Sequence, residues 1–261
     1  MTRTLPSIAI ICLAVFFAVP PGRAAAQCQN GHPLQNHTGS SGTPCPCFLA
    51  GEQVGVVLDA PAMDYPIEIL KVGIRWESQF GGEPDTIEQA IHIYPSGLPD
   101  PGTPIFSLAG PTLSDGVTNV FDLEPAPGEI VVVSGPFTVA LEFQNTSDGN
   151  MFAPSVVYDG DGCQSGLNVV LVESIGWADA CPLGVPGDWV MFVEYRLFCD
   201  PLPGDADCDA DVDAGDIQLF IQSLLDSNCP ILNADVDDSG AIDLNDLDDF
   251  VTCLLEDACP A

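Results

Sequence analysis

Apolar and polar positions alternate along the middle of the chain, and near residue 216 that rhythm gives way to a helical one. Phe137, Val139, Leu141 and Phe143 stand on one face against Thr138, Ala140 and Glu142, the period of a half-buried strand. Leu70, Val72, Ile74 and Trp76 alternate with Lys71, Gly73 and Arg75. Trp189, Met191, Val193 and Tyr195 oppose Val190, Phe192 and Glu194. Further strands are predicted at 52–58, 89–94, 104–108, 119–123, 129–133, 155–158 and 168–174. Turns such as Pro95-Ser96-Gly97, Asp100-Pro101-Gly102 and Pro127-Gly128 separate them. About eight to ten short strands at this spacing predict a mainly β protein, a jelly-roll-like β-sandwich over residues 27–200. At the C-terminus, Ile217, Phe220, Ile221, Leu224 and Leu225 recur at helical spacing, and Leu247, Phe250, Val251, Leu254 and Leu255 repeat them. Residues 201–261 are therefore predicted to be a duplicated, small α-helical unit after the linker Asp200-Pro201-Leu202-Pro203-Gly204.

Each predicted helix is entered through a loop of regularly spaced oxygen side chains. The first loop carries Asp205, Asp207, Asp209, Asp211, Asp213 and Asp216; the second carries Asp235, Asp237, Ser239, Ala241, Asp243 and Asp246. Counted from the first Asp, side-chain oxygens fall at positions 1, 3, 5, 9 and 12 of both loops. Position 7, Asp211 or Ala241, needs only its backbone carbonyl. This is the spacing by which a twelve-residue EF-type loop surrounds a calcium ion, so calcium is the expected cofactor. Gly240 takes the sharp-turn position 6, and Val212 and Ile242 take position 8, where paired loops pack on each other. A cation also answers the charge problem, because the aspartates of the loops repel one another without one.

Two loop–helix units without an entering helix resemble the type I dockerin domain, over about residues 204–261. The resemblance implies a fold around two calcium ions, a cohesin-like protein partner, and a secreted bacterial, polysaccharide-associated context. Two departures are visible. Ala210 stands at the turn position of the first loop. Ala214-Gly215 and Leu244-Asn245 stand where the best-known members carry hydroxyl residues, and the segment has no Lys or Arg.

The opposite end predicts export. Arg3, the apolar run from Ile8 to Val19 and the small residues Ala24-Ala25-Ala26 read as a signal peptide over residues 1–26, hence a secreted, extracellular or cell-surface protein. Without that segment no stretch is long enough to span a membrane. Its removal takes away Cys12 and leaves ten cysteines, of which Cys28, Cys45, Cys47, Cys163, Cys181 and Cys199 lie upstream and Cys208, Cys229, Cys253 and Cys259 in the repeats. Export and even numbers predict disulfides, with connectivity open. Residues 27–46 are read as a loop strapped down by one of them.

The net charge of −33 argues against nucleic acid and anionic membrane surfaces. Beyond residue 26 the basic residues are Lys71, Arg75 and Arg196 alone. No nucleophile elbow or zinc-protease motif occurs. His32 and His37 match no familiar zinc spacing, and His92 reads as a strand residue. Glu68, Glu77, Glu88, Glu142, Glu173 and Glu194 are expected to face solvent. Asp159-Gly160-Asp161-Gly162 is read as turn chemistry rather than as oxygens for a further calcium. Trp177, in an expected loop, is the candidate platform for stacking a sugar. Three readings stay open: a non-catalytic attachment or assembly protein, which is preferred; a dockerin-bearing glycoside hydrolase; and a structural surface or matrix protein.

Overall fold

The computed structural model describes residues 31–39, 42–62, 64–123, 130–198, 202–206, 211–225 and 232–256. The predicted signal peptide, Cys28, Cys199, Cys208, Cys229, Cys259, Asp207, Asp209 and Ala210 lie outside them. The protein is mainly β.

Two antiparallel sheets hold one core. The first has the order β1 (His32–Gln35), β15 (Met191–Leu197), β4 (Ile67–Glu77), β12 (Ser155–Tyr158) and β2 (Thr43–Pro44), with β9 (Val117–Asp122) and β10 (Val131–Val132) also paired to β4. The second runs β14 (Gly176–Asp179), β13 (Asn168–Val172), β3 (Gln53–Leu58), β11 (Phe137–Glu142), β6 (Ala90–Tyr94) and β7 (Phe106–Ala109). A two-stranded piece pairs β5 (Thr86–Ile87) with β8 (Thr112–Leu113). The chain crosses repeatedly between the sheets: β3 to β4, β10 to β11, β11 to β12 and β14 to β15 each change sheet. Val54, Val56, Leu58, Ile91, Ile93, Val139 and Leu141 from one sheet share a core with Ile67, Ile69, Val72, Ile74, Met191 and Val193 from the other. Aromatic rings fill its end, with Phe48 stacked on Phe143 at 4.5 Å and both Trp76 and Trp189 buried beside them.

The predicted strands are present, with one change of phase. Glu194 pairs with Lys71 but Tyr195 pairs with Ile69, so Leu70 is the extra residue of a β-bulge. Before it Ile67 and Ile69 point to the core; after it Val72, Ile74 and Trp76 do. The segment read as a leader loop is partly strand. β1 lies antiparallel on β15 and β2 on β12. Pro33 masked β1 in the sequence, and a proline is tolerated there because β1 is an edge. Disulfides join Cys45 to Cys47 and Cys163 to Cys181, and Cys253 is also in a disulfide.

The C-terminal residues have their own apolar cluster. Helices α1 (Asp216–Leu225) and α2 (Asp246–Glu256) stack Phe220 on Phe250 with ring centroids 4.0 Å apart and planes 2° from parallel. These two residues are thirty apart, so the sequence repeat is also a packing repeat. Leu219, Ala206, Ala234 and Val236 complete the cluster, flanked by Val212 and Ile242. The predicted stripe is only half used. Phe220 and Phe250 are buried, whereas Ile217, Ile221, Leu225, Val251 and Leu255 are exposed. No helix among the described residues is long and apolar enough to cross a membrane.

Candidate metal centres

In the second loop, backbone N–H groups converge on the two end carboxylates. Asp235 accepts from Ser239 N at 3.0 Å through Oδ1 and from Gly240 N at 2.8 Å through Oδ2. Asp237 Oδ1 also accepts from Ser239 N, at 3.0 Å. Asp246, fully buried at the first position of α2, accepts from Val236 N at 2.7 Å and Asp237 N at 3.2 Å through Oδ1, and from Asp243 N at 2.8 Å through Oδ2. Gly240 has φ +85° and Asp238 φ +53°, left-handed conformations that turn the chain back on itself. The result gathers carboxylate oxygens of Asp235, Asp237 and Asp246 within 4.8 Å of one another. The Ser239 hydroxyl and main-chain N–H keep the Asp237 carboxyl below the usual range, with Asp235 and Asp246 also within its reach.

The first loop repeats the closing hydrogen bonds. Ala206 N and Asp213 N donate to Oδ1 and Oδ2 of Asp216 at 2.6 and 2.8 Å, the counterparts of Val236 and Asp243 on Asp246. Gly215 N donates to Asp213 Oδ1 at 2.6 Å, as Asn245 N does to Asp243 at 2.7 Å. Asn233 Nδ2 ties the loops by donating to the Asp205 carbonyl at 2.9 Å. The gathered carboxylates here are those of Asp211, Asp213 and Asp216. Asp211, read as a carbonyl donor only, brings its side chain as well.

These donor sets fit a hard cation. They are all oxygen, they are drawn together by main-chain geometry, and three anions this close repel unless a positive charge lies among them. Among the described residues, Asp211, Asp213 and Asp216 could hold one ion and Asp235, Asp237 and Asp246 another. The Ser239 hydroxyl already points to the Ala241 carbonyl, at 3.2 Å.

Elsewhere the expected site residues have other employment. Trp177 lies on edge strand β14, not in a loop; it is half-buried and meets Tyr94 edge-on at 5.2 Å. An exposed aromatic pair stands instead at Phe80 and Phe152, stacked at 5.5 Å, with nothing in its local sequence to mark it. His92 contacts Glu142 at 2.8 Å and Ser107 at 2.7 Å across neighbouring strands. Glu68 and Glu88 do not face solvent as expected. Glu68 is buried and pairs with Arg196 at 2.5 Å, and buried Glu88 accepts from the main-chain N–H groups of Gln144 and Asn145. Glu77 pairs with Arg75 and Glu194 with Lys71. Asp159 and Asp161, read as turn residues, meet Asp188 in a third carboxylate group. Asp188 comes from a distant segment, so no local spacing could have announced it.

Comparison of the chain with protein-family models, characterised proteins and solved structures returns no match.

Proposed function

We propose that this is a secreted, non-catalytic protein that binds two calcium ions through its C-terminal loops and uses the ordered module for attachment or assembly outside the cell. In this reading residues 201–261 are a dockerin-like unit following a jelly-roll-like sandwich. The observation that carries it is the duplicated closing pattern, in which the same backbone N–H groups bind Asp216 and Asp246 at the base of each acidic loop. The exposed apolar residues give the module a surface for a protein partner of the cohesin kind. Ile221 and Leu225 on α1 have their repeat counterparts Val251 and Leu255 on α2, all solvent-facing. Large apolar side chains left outside on both repeats are what a docking face requires. The sheet-to-sheet crossings support the jelly-roll description. The stacked Phe80–Phe152 pair is the surface best suited to the apolar face of a polysaccharide.

Calorimetric calcium titration of the full chain, with circular dichroism alongside, tests the reading. Two calcium ions per chain are expected, one lost in Asp216→Ala and the other in Asp246→Ala. No binding at millimolar calcium would remove the reading. Binding to a cohesin module that requires calcium and is lost in the double variant Ile221→Asp/Val251→Asp, with calcium affinity retained, tests the attachment role separately.

A further inference from the structure

Phe80 and Phe152 stand on two different loops and stack on each other with ring centroids 5.5 Å apart. Phe80 keeps 74% of its surface in solvent and Phe152 52%. Two rings left outside forfeit the free energy of burial, and an apolar patch on the surface marks a binding site. Neither loop is loose. Ser78 N and Oγ donate to Asp115 Oδ1 and Oδ2 at 2.6 and 2.7 Å, and Glu83 N donates to Asp115 Oδ2 at 2.9 Å. One carboxylate therefore fastens both ends of the Phe80 loop, and Gly81 N donates to Ser78 Oγ at 3.0 Å within it. The Phe152 turn is closed by Asn150 N on the Ser147 carbonyl at 3.0 Å and Ala153 N on the Asn150 carbonyl at 2.9 Å. Phe152 N adds a bond to Asn150 Oδ1 at 3.2 Å.

The same two loops run on into the wall of an open cleft of about 460 Å³. Glu83, Pro84 and Asp85 follow Phe80, and Pro154 follows Phe152. Thr86, Gln144 and Asn145 also line it. Asn145 Nδ2 donates to the Ile87 carbonyl at 2.8 Å, and Gln144 N and Asn145 N donate to buried Glu88 at 2.7 and 3.2 Å, which fixes that wall. The side chains of Glu83, Asp85, Thr86 and Gln144 make no hydrogen bond or ion pair with other described residues. Two carboxylates, a hydroxyl and an amide are left to offer acceptors and donors beside an apolar platform.

This combination selects a ligand with an apolar face and a rim of hydroxyl groups. A nucleotide would stack equally well, but Glu83 and Asp85 repel its phosphates and no Lys or Arg lines the cleft. The same charge disfavours uronate and sulfated chains. An ammonium ion is held best by rings that cage it, whereas these two lie against each other. A wholly apolar ligand would leave the polar wall unsatisfied. An uncharged pyranose suits both parts: its C–H face stacks on a ring, and its hydroxyls donate to the carboxylates and exchange hydrogen bonds with Gln144.

We propose that the Phe80–Phe152 pair and the adjoining cleft form a binding site for a neutral glycan, stacked on the rings and read through its hydroxyls by Glu83, Asp85, Thr86 and Gln144. The inference rests on the polysaccharide-associated part of the reading above, and gives it a place on the β-sandwich and a charge class. Because both loops are held by their own hydrogen bonds, the platform is formed before the ligand arrives, which lowers the cost of binding.

The full chain in calcium is run through native gels containing hydroxyethyl cellulose, arabinoxylan, galactomannan or soluble starch, with carboxymethyl cellulose as the acidic counterpart of the first. Retardation by at least one neutral polymer, and none by carboxymethyl cellulose, is expected. Calorimetry with an oligosaccharide of the retarding polymer then gives the dissociation constant. Phe80→Ala and Phe152→Ala should each raise it at least about tenfold, as loss of an aromatic anchor does, and Gln144→Ala should also raise it. All three side chains are exposed, so the variants should melt with the wild type, which separates lost binding from lost folding. Retardation by none of the neutral polymers, or an unchanged dissociation constant in both phenylalanine variants, overturns the site. Stronger retardation by carboxymethyl cellulose than by every neutral polymer overturns its charge class. Calcium binding by the C-terminal loops is measured without glycan, so failure of that reading and failure of this site are told apart.

Discussion

Gly240 and Asp246 serve the second loop in different ways, and substitution separates them. At φ +85°, Gly240 sits where an L-residue is strained, although a Cβ there meets nothing within 4 Å. Gly240→Ala therefore acts through the backbone alone, at about 1–2 kcal/mol, which corresponds to a roughly 5- to 30-fold weaker calcium site. Calorimetry should show that weakening with the stoichiometry intact, whereas Asp246→Ala removes the site. A second residue-scale expectation concerns the phenols. Burial, set against the Ala60 N–H and reinforced by Asp59, pushes Tyr65 up to about 12. Burial and then the hydrogen bond to Asp64 raise Tyr195 further. Both hold their protons more tightly folded than unfolded, so their contribution is complete below the ordinary value of 10.0; that of Tyr65 is lost as pH rises through about 12, that of Tyr195 at still higher pH. Ultraviolet titration of the native protein should show these two ionising late, while denaturation midpoints begin to fall near pH 10. At this scale the carboxylates gathered in each C-terminal loop were legible because their spacing is local in sequence. Asp188 was not, since the fold alone brings it to Asp159.

Period-two patterns found the strands because each is short and half-buried, but they carried no warning of a bulge. The bulge at Leu70 moves the core face from Ile67 and Ile69 to Val72, Ile74 and Trp76 within one strand. β1 escaped notice for a related reason: an edge strand needs neither strong alternation nor a free N–H at every residue. The stripes read as helical are helical, and only part of each is buried. An isolated pair of helices can bury only the arc facing its partner, so Phe220 and Phe250 go inside and Leu225 and Leu255 stay out. This difference is measurable. Phe220→Ala removes half of a stacked pair at the centre of a small cluster and should cost about 3–5 kcal/mol, enough to lose the helical dichroism of the module. Leu225→Asp should change stability by no more than about 0.5 kcal/mol. Equal losses from the two substitutions would mean that Leu225 is covered after all.

At the scale of the whole molecule, strand order was beyond reach of the sequence, because nothing in β3 announces β11 and β13 as its neighbours. What the sequence did expose was a contrast of composition, a β region holding every lysine and arginine of the described residues beside an acidic repeat holding none. The two apolar clusters follow the same division. They should melt as separate transitions in scanning calorimetry, with only the helical one answering to calcium. An ion bound to the folded form alone adds about 2.7 kcal/mol per site when its concentration is a hundred times the dissociation constant. Chelation removes that stabilisation and exposes the mutual repulsion of the loop aspartates as well. The helical transition should therefore fall steeply in chelator and partly recover in high salt, which screens exposed charges beyond a few ångströms. The β transition should not respond to calcium. A calcium shift in both transitions would show that the sandwich shares in the binding. A shift in neither would mean that the carboxylates of Asp216 and Asp246 are held by their N–H donors for structure alone.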